Sequence, residues 1–343
     1  MKKIFIIIFL LVGITANLYI YFFKWKNYDT GDKNILAPLE KIKKNTREQL
    51  AEKSIFNQDK IINVLLIGCD IGTERISNGQ SSFNTDVMIL LSMNIETNKV
   101  LLTSIPRDLW INGNKLNALY IIYGYETLED AFEQMTGQEI KGYIKVDFDS
   151  FRWLVDSMGG VPINIERSFT DYSFPDNYDT DVTTVSFAQG YEKMNSQRAL
   201  TFARSRKGTN GEGSDLMRAK RQHLILQGMV EAVKQPQSIL WPIENISEIY
   251  EILTQNLETS LTLEDVTYLW DFYRDKDLYT IESFVVGDPY IYHPGMYPAS
   301  PYHAWVFIPR EGGLTQLHQD IEAKLNGTFI DETEVSTTEE ENL

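Results

Sequence analysis

Three regimes of hydrophobic patterning divide the chain. The first is an almost unbroken apolar run from Ile4 to Phe23, interrupted only by Gly13, Thr15 and Asn17. As a helix it would rise about 30 Å, the thickness of a bilayer's hydrocarbon core. Lys2 and Lys3 precede it, Lys24-Trp25-Lys26 closes it, and Tyr19, Tyr21 and Trp25 suit an interfacial aromatic belt. The run is long for the core of a cleaved signal peptide, and no clear small-x-small site precedes Lys24. This pattern predicts an uncleaved signal anchor over residues 1–26, a single transmembrane helix with its N-terminus inside and the rest of the chain outside. Residues 27–58 are polar, with basic Lys41, Lys43, Lys44 and Arg47, and read as a partly helical stalk.

The second regime starts at Ile61, where short apolar runs alternate with turn residues. Ile62 to Gly68 predicts a buried strand ending at Cys69-Asp70, followed by a Gly/Ser/Asn-rich loop from Gly72 to Asn84. Strands over 86–92 and 100–105 are expected to form a hairpin about Glu96-Thr97-Asn98. Next come a helix over 127–135 with Thr127 as N-cap, a strand over 143–148, a helix over 151–157 ended by Gly159-Gly160, and a strand over 161–165. Strands interleaved with helices imply an α/β fold, a layered α-β-α sandwich around a mixed central sheet. Beyond Pro236 the pattern is helical to about Tyr273, then strand-like over 280–286 and 304–308, then helical over 314–325. That stretch reads as completing one domain, 59–330, whose motifs lie in 61–235. The tail, 331–343, carries six acids and no base and reads as a disordered end.

The third regime is a longer helix, from Ser214 or Asp215 to Lys234, stopped by Pro236. Leu226, Met229, Val230 and Val233 form its apolar stripe. Projected backwards, the stripe runs into Asp215, Arg218, Ala219 and Gln222. Charges are rarely buried unless paired or bound to a ligand, so this end of the helix should border a pocket in which Arg218 and Gln222 meet something polar. A plain Asp215/Arg218 salt bridge is the competing explanation. Arg221 falls off the stripe.

Charge sharpens that expectation. The chain carries a formal net charge of −16, which argues against nucleic acid as a partner. Against this background Ala203 to Gln222 holds six arginines and lysines and only two acids, Glu212 and Asp215, a cluster suited to an anion. Two further acids stand at strand ends, Asp70 and Asp86, where α/β sheets usually place ligands. Together they can give two carboxylates to one magnesium ion whose other sites take water and phosphate oxygens. Arg107, in Ser104-Ile105-Pro106-Arg107-Asp108, points at the same rim, and a guanidinium fork matches phosphate oxygens. His223, His293, His303 and His318 show no zinc spacing, and no Walker loop, GxGxxG or GxSxG is present. The single cysteine, Cys69, excludes an internal disulfide.

The segments VLLIGCD, NTDVMILLSMN, SIPRD, KLNALY, a GGV after a strand and helix, and RALTFARSR followed by SDLMRAKRQ resemble the LytR-CpsA-Psr family, over about Asn63 to Lys234. The resemblance implies a phosphotransferase outside the membrane of a Gram-positive bacterium. It moves a glycopolymer, such as a teichoic acid or capsule, from an undecaprenyl pyrophosphate carrier to peptidoglycan, with magnesium and arginines on the pyrophosphate. It casts Asp70 and Asp86 as metal ligands, and Arg107, Arg204, Arg206, Arg218, Arg221 and Gln222 as pyrophosphate ligands. Either Asp108 or Asp215 would take the acceptor's proton. Two departures stand out: Asn84-Thr85-Asp86-Val87 replaces the usual arginine-serine-aspartate-threonine, and the arginine normally just after the first aspartate is displaced to Arg75. Two other functions fit the same residues in part: a hydrolase of polyprenyl pyrophosphates and a non-catalytic membrane sensor or transcription regulator. The hydrophobic stretch Phe148, Phe151, Trp153, Leu154 and Met158 reads as core rather than lipid channel.

Overall fold

The computed structural model describes residues 47–70, 84–175, 181–233, 238, 246–274, 279–295 and 305–330. The chain divides into two compact units, Met1–Glu52 and Lys53–Leu343, and the sheet and its helices belong to the second. Among the described residues no helix is long and apolar enough to cross a membrane; the Ile4–Phe23 run lies outside them.

Six strands form a mixed sheet: β1 (Ile61–Cys69), β2 (Thr85–Asn94), β3 (Lys99–Ser104), β4 (Gly142–Val146), β9 (Glu258–Thr259) and β10 (Thr280–Val285), in the order β9-β4-β1-β2-β3-β10. The β1-β2-β3 meander is antiparallel, whereas β4 and β10 join it in parallel. Side chains on a strand alternate faces, and β1 is apolar on both. Leu65 and Ile67 pack into a core with α1 (Leu116–Tyr123), α2 (Tyr125–Thr136) and α8 (Gly313–Asn326). Ile62 and Val64 pack on the opposite face with Phe56, Leu261 and residues of α7 (Leu263–Arg274). The sheet is therefore covered on both sides, as a layered sandwich requires.

A second core gathers α3 (Phe148–Ser157), β5 (Val161–Ile165), the hairpin β6 (Phe169–Pro175) and β7 (Val182–Phe187), β8 (Gly190–Met194), α4 (Ser196–Arg204) and α5 (Asp215–Val233). A Cβ on Gly228 of α5 would stand 2.5 Å from the Pro162 carbonyl, so this glycine lets α5 close on β5. His223, wholly buried on α5, bonds through Nε2 to Ser104 Oγ at 2.8 Å and ties the helix to the end of β3. Burial alone pushes its pKa down to about 4, so it is neutral at pH 7.

Several boundaries differ from the pattern-based expectation. α2 begins at Tyr125, behind Gly124 rather than Thr127, because Gly124, at φ 90°, makes the sharp break from α1. β4 stops at Val146 because Asp147 caps α3, its side chain accepting from Ser150 N–H at 2.7 Å. Of the strand expected over 304–308, residue 304 lies outside the described residues and the rest form only short bridging pieces, including Ile308–Pro309 against Ile291–Tyr292.

Candidate functional site

A cavity of about 520 Å³ opens between the sheet and the helices α3, α4, α5 and α6 (Ile246–Asn256). One end is polar, lined by Asp70, Asp86, Arg204, Arg206, Arg218 and Gln222. The remaining wall is apolar and includes Leu66, Ile144, Phe151, Leu154, Met229 and Leu253. α5 shows the gradient on one element. Arg218, Gln222, Ile225, Leu226 and Met229 all line the cavity at helical spacing, so its wall passes from charge to hydrocarbon over about 16 Å.

Both aspartates reach the cavity because the β1-β2 ladder runs to the very ends of its loop. Cys69 pairs with Thr85, past a register shift at Gly68, and Asp70 N–H donates to the Asn84 carbonyl at 3.1 Å. Gly68 is needed there, since a Cβ would stand 2.7 Å from Val87 Cβ. Arg107 follows β3 and donates through Nη1 to Asp86 Oδ1 at 2.5 Å. Its burial works against the charge, but Asp86, with Asp108 and Asp215, outweighs it and raises the pKa above the ordinary arginine value. Asp108 is itself held by Lys115 at 2.6 Å. Neither Arg107 nor Asp108 lines the cavity; Arg107 reaches it through Asp86.

Arg204, at the end of α4, lies over Phe148 and Phe174, with its guanidinium carbon 4.8 and 5.4 Å from the ring centroids. Arg206 stands 3.6 Å from Asp215, and Arg218 stands 3.2 Å from the same Asp215 oxygen. Arg218 is buried while Asp215 is 51% exposed. Burial, and next to it the like charge of Arg206, pull the Arg218 pKa down to about 10, with Asp215 opposing only in part. Arg218 thus stays cationic at neutral pH with less compensation than its burial demands, which is the electrostatic condition for an anion site. Gln222 turns its amide to the Ala203 carbonyl at 3.4 Å.

Arg221 departs from the ligand role. Its guanidinium is 2% exposed and donates to Glu212 Oε2, the Glu212 carbonyl, the Phe202 carbonyl and the Ser205 carbonyl. Facing away from the cavity, it braces the fold. Arg75 lies outside the described residues. Three residues read as core, Phe148, Phe151 and Leu154, line the cavity instead, whereas Met158 is core. The segment past Pro236, read as merely completing the domain, supplies Leu253 and Leu257. Their i, i+4 spacing was the available signal, but nothing in it distinguishes a cavity wall from a packed face.

Asp70 and Asp86 are an all-oxygen pair. Among the described residues no group of three or more His, Cys, Asp or Glu gathers. A hard cation that keeps its waters and takes phosphate oxygens needs only one or two carboxylates, and this pair suits it.

A sequence model of the LytR_cpsA_psr family matches residues 22–297. The chain belongs to that family. Among similar proteins, the polyisoprenyl-teichoic acid–peptidoglycan teichoic acid transferase TagU of Bacillus licheniformis is 28% identical over 296 residues, covering 84% of this chain and 87% of that protein. TagU of Bacillus subtilis is 29% identical over 260 residues, covering 74% and 75%. The crystal structure of B. subtilis TagV shares 22% identity at a TM-score of 0.55, covering 78% of this chain and 98% of that one. The structure of TagT bound to LIIa-WTA shares 20% identity at 0.56, covering 80% and 96%. The mixed-sheet α/β architecture of this LytR_cpsA_psr domain is thus the one found in those structures.

Proposed function

We propose that this chain is a transferase that moves a glycopolymer from a polyprenyl pyrophosphate carrier, undecaprenyl in length, to a hydroxyl of peptidoglycan. The single observation that carries the reading is the cavity itself, which joins a cluster of guanidinium groups to a long hydrocarbon wall in one space. A pyrophosphate on a lipid tail has that polarity, and no free nucleotide or soluble sugar phosphate needs the apolar half. The names of the matched relatives point the same way.

In the proposed reaction the acceptor hydroxyl oxygen bonds to the phosphorus that bears the glycopolymer. The bond from that phosphorus to the bridging oxygen breaks, giving a phosphodiester and polyprenyl monophosphate. Arg204, Arg206 and Arg218 face the charge that grows on the leaving phosphate, and because they are already placed, no reorganisation is needed as it forms. Asp70 and Asp86 would hold magnesium, which when bound neutralises phosphate charge. Arg107 fixes Asp86 for that task. Of the two candidate bases, Asp108 pairs with Lys115, whereas half-exposed Asp215 pairs with Arg206 and Arg218, which themselves line the cavity, and it is assigned the acceptor's proton.

The test is whether the purified full chain carries a polyprenyl phosphate. Native mass spectrometry in detergent should show an adduct of polyprenyl mass that disappears on Leu226→Asp/Met229→Asp substitution; an adduct unaffected by that change would reject the cavity as the lipid site. The location of the domain is tested separately. Protease added to intact protoplasts should digest the domain beyond the stalk, because the Ile4–Phe23 run is proposed to anchor it outside the membrane. A protected domain would rule out a peptidoglycan acceptor.

A further inference from the structure

Arg204 and Arg206 flank Ser205, and the structure grips that residue from two sides. Ser205 is extended, with φ −58° and ψ 135°, so its neighbours turn one way, into the cavity, and its own side chain turns the other. There it meets Asp171 of β6, which is 1% exposed. Asp171 Oδ2 accepts from Ser205 Oγ at 2.7 Å and from the N–H groups of Arg206 and Lys207, each at 3.1 Å. Its Oδ1 accepts from Ser173 N–H at 3.0 Å. On the far side the Ser205 carbonyl accepts from Arg221 Nη2, while Glu212 holds Arg221 Nη1 at 2.9 Å.

The chain beyond Ser205 is fastened to the same strand. Gly208 bridges Asp171, Thr209 N–H donates to the Thr170 carbonyl at 2.9 Å, and Asn210 Nδ2 donates to the Ser168 carbonyl at 2.7 Å. A Cβ on Gly208 would stand 2.7 Å from the Phe169 ring, so the segment lies flat against β6. Burial raises the Asp171 pKa, but the Ser205 hydroxyl and the backbone N–H donors more than offset it and hold the carboxyl below its usual range. Four donors converge on this side chain, and only an ionised carboxylate offers acceptors alone on both oxygens.

We propose that Asp171, backed by the Arg221–Glu212 pair, is a positioning residue for pyrophosphate recognition: it clamps the Ser205–Lys207 backbone so that Arg204 and Arg206 are presented at the spacing of two linked phosphates. The proposal rests on the pyrophosphate reading of the cavity. Asp171 touches no substrate; it acts through the backbone of the residues that do.

The clamp is tested with the full chain by calorimetric titration of inorganic pyrophosphate and, in parallel, inorganic phosphate, on the wild type, Asp171→Asn, Ser205→Ala and the exposed control Lys220→Ala. An asparagine turns an N–H₂ group toward one set of donors and should loosen the segment. Asp171→Asn is expected to lose about tenfold or more in pyrophosphate affinity. Phosphate, which one guanidinium can hold, should weaken much less, so the ratio of the two affinities falls. Ser205→Ala, which leaves Asp171 its backbone donors, should shift the ratio in the same direction by less, and Lys220→Ala should leave it unchanged. A residue that only supports the fold would lower the melting temperature without moving this ratio. If Asp171→Asn does not fold, the Ser205→Ala ratio decides, and a wild-type value there overturns the clamp. A wild type that binds neither anion removes the pyrophosphate reading and the clamp with it, whereas a wild type that binds beside variants of unchanged ratio overturns the clamp alone.

Discussion

Replacing Arg218 by methionine is expected to abolish transfer while leaving the domain as stable as before or more so. Arg218 is buried, and its partner Asp215 is about half exposed. Breaking a buried pair is costly because it strands a charge away from water, but Asp215 keeps its water and keeps Arg206 nearby. Methionine fills a similar volume without the desolvation cost and without the repulsion from Arg206 that lowers the Arg218 pKa. A residue that is electrostatically unfavourable in the empty site and needed in the filled one is the pattern of a functional site. Arg218→Lys should keep the charge yet lose the planar fork, costing one charge-assisted contact, roughly 1.5–3 kcal/mol or about 10- to 100-fold in donor affinity. Thermal melts and turnover of lipid-linked donor on the same preparations check both variants. A collapsed melting temperature in Arg218→Met with normal affinity in the folded fraction would return Arg218 to a structural ion pair.

Changing Asp70 or Asp86 to asparagine is expected to remove the dependence of pyrophosphate binding on magnesium and to lower transfer by about 100-fold or more. The Asp86 variant should also lose stability. Asp86 accepts from Arg107, whose side chain is only 20% exposed, so Asp86→Asn leaves that guanidinium less well compensated and should cost about 1–3 kcal/mol in denaturant unfolding. Full magnesium-dependent activity in Asp70→Asn would reduce that residue to a strand-end turn.

Much of the architecture was legible because the strands of the meander are apolar on both faces and end in turn residues, which no surface helix imitates. The hairpin of β6 and β7 was not. Val182 to Ser186 are mostly exposed, so they carry no hydrophobic signal, and the strands are held by pairing with Phe169–Pro175. α4 was likewise missed, since RALTFAR is short and its amphipathic face becomes meaningful only against Phe169 and Phe187, which the fold brings to Phe202.

The sequence by itself determined which residue types could meet an anion. A cationic cluster in an acidic chain, two aspartates at strand ends and an apolar helix stripe running into Arg218 and Gln222 are properties of order and period, and they survive any detail of packing. What the tertiary structure decided was the division of labour among arginines that the sequence leaves chemically alike. Arg218 and Arg221 sit on one helix three residues apart, about 60° apart around its axis. That rotation turns one guanidinium into the cavity and the other against Glu212 and the Ser205 carbonyl. Phe148, Phe151 and Leu154 followed the same logic: an apolar side chain is buried in either case, and only the space left between α3 and α5 makes it the wall of a cavity rather than part of a core.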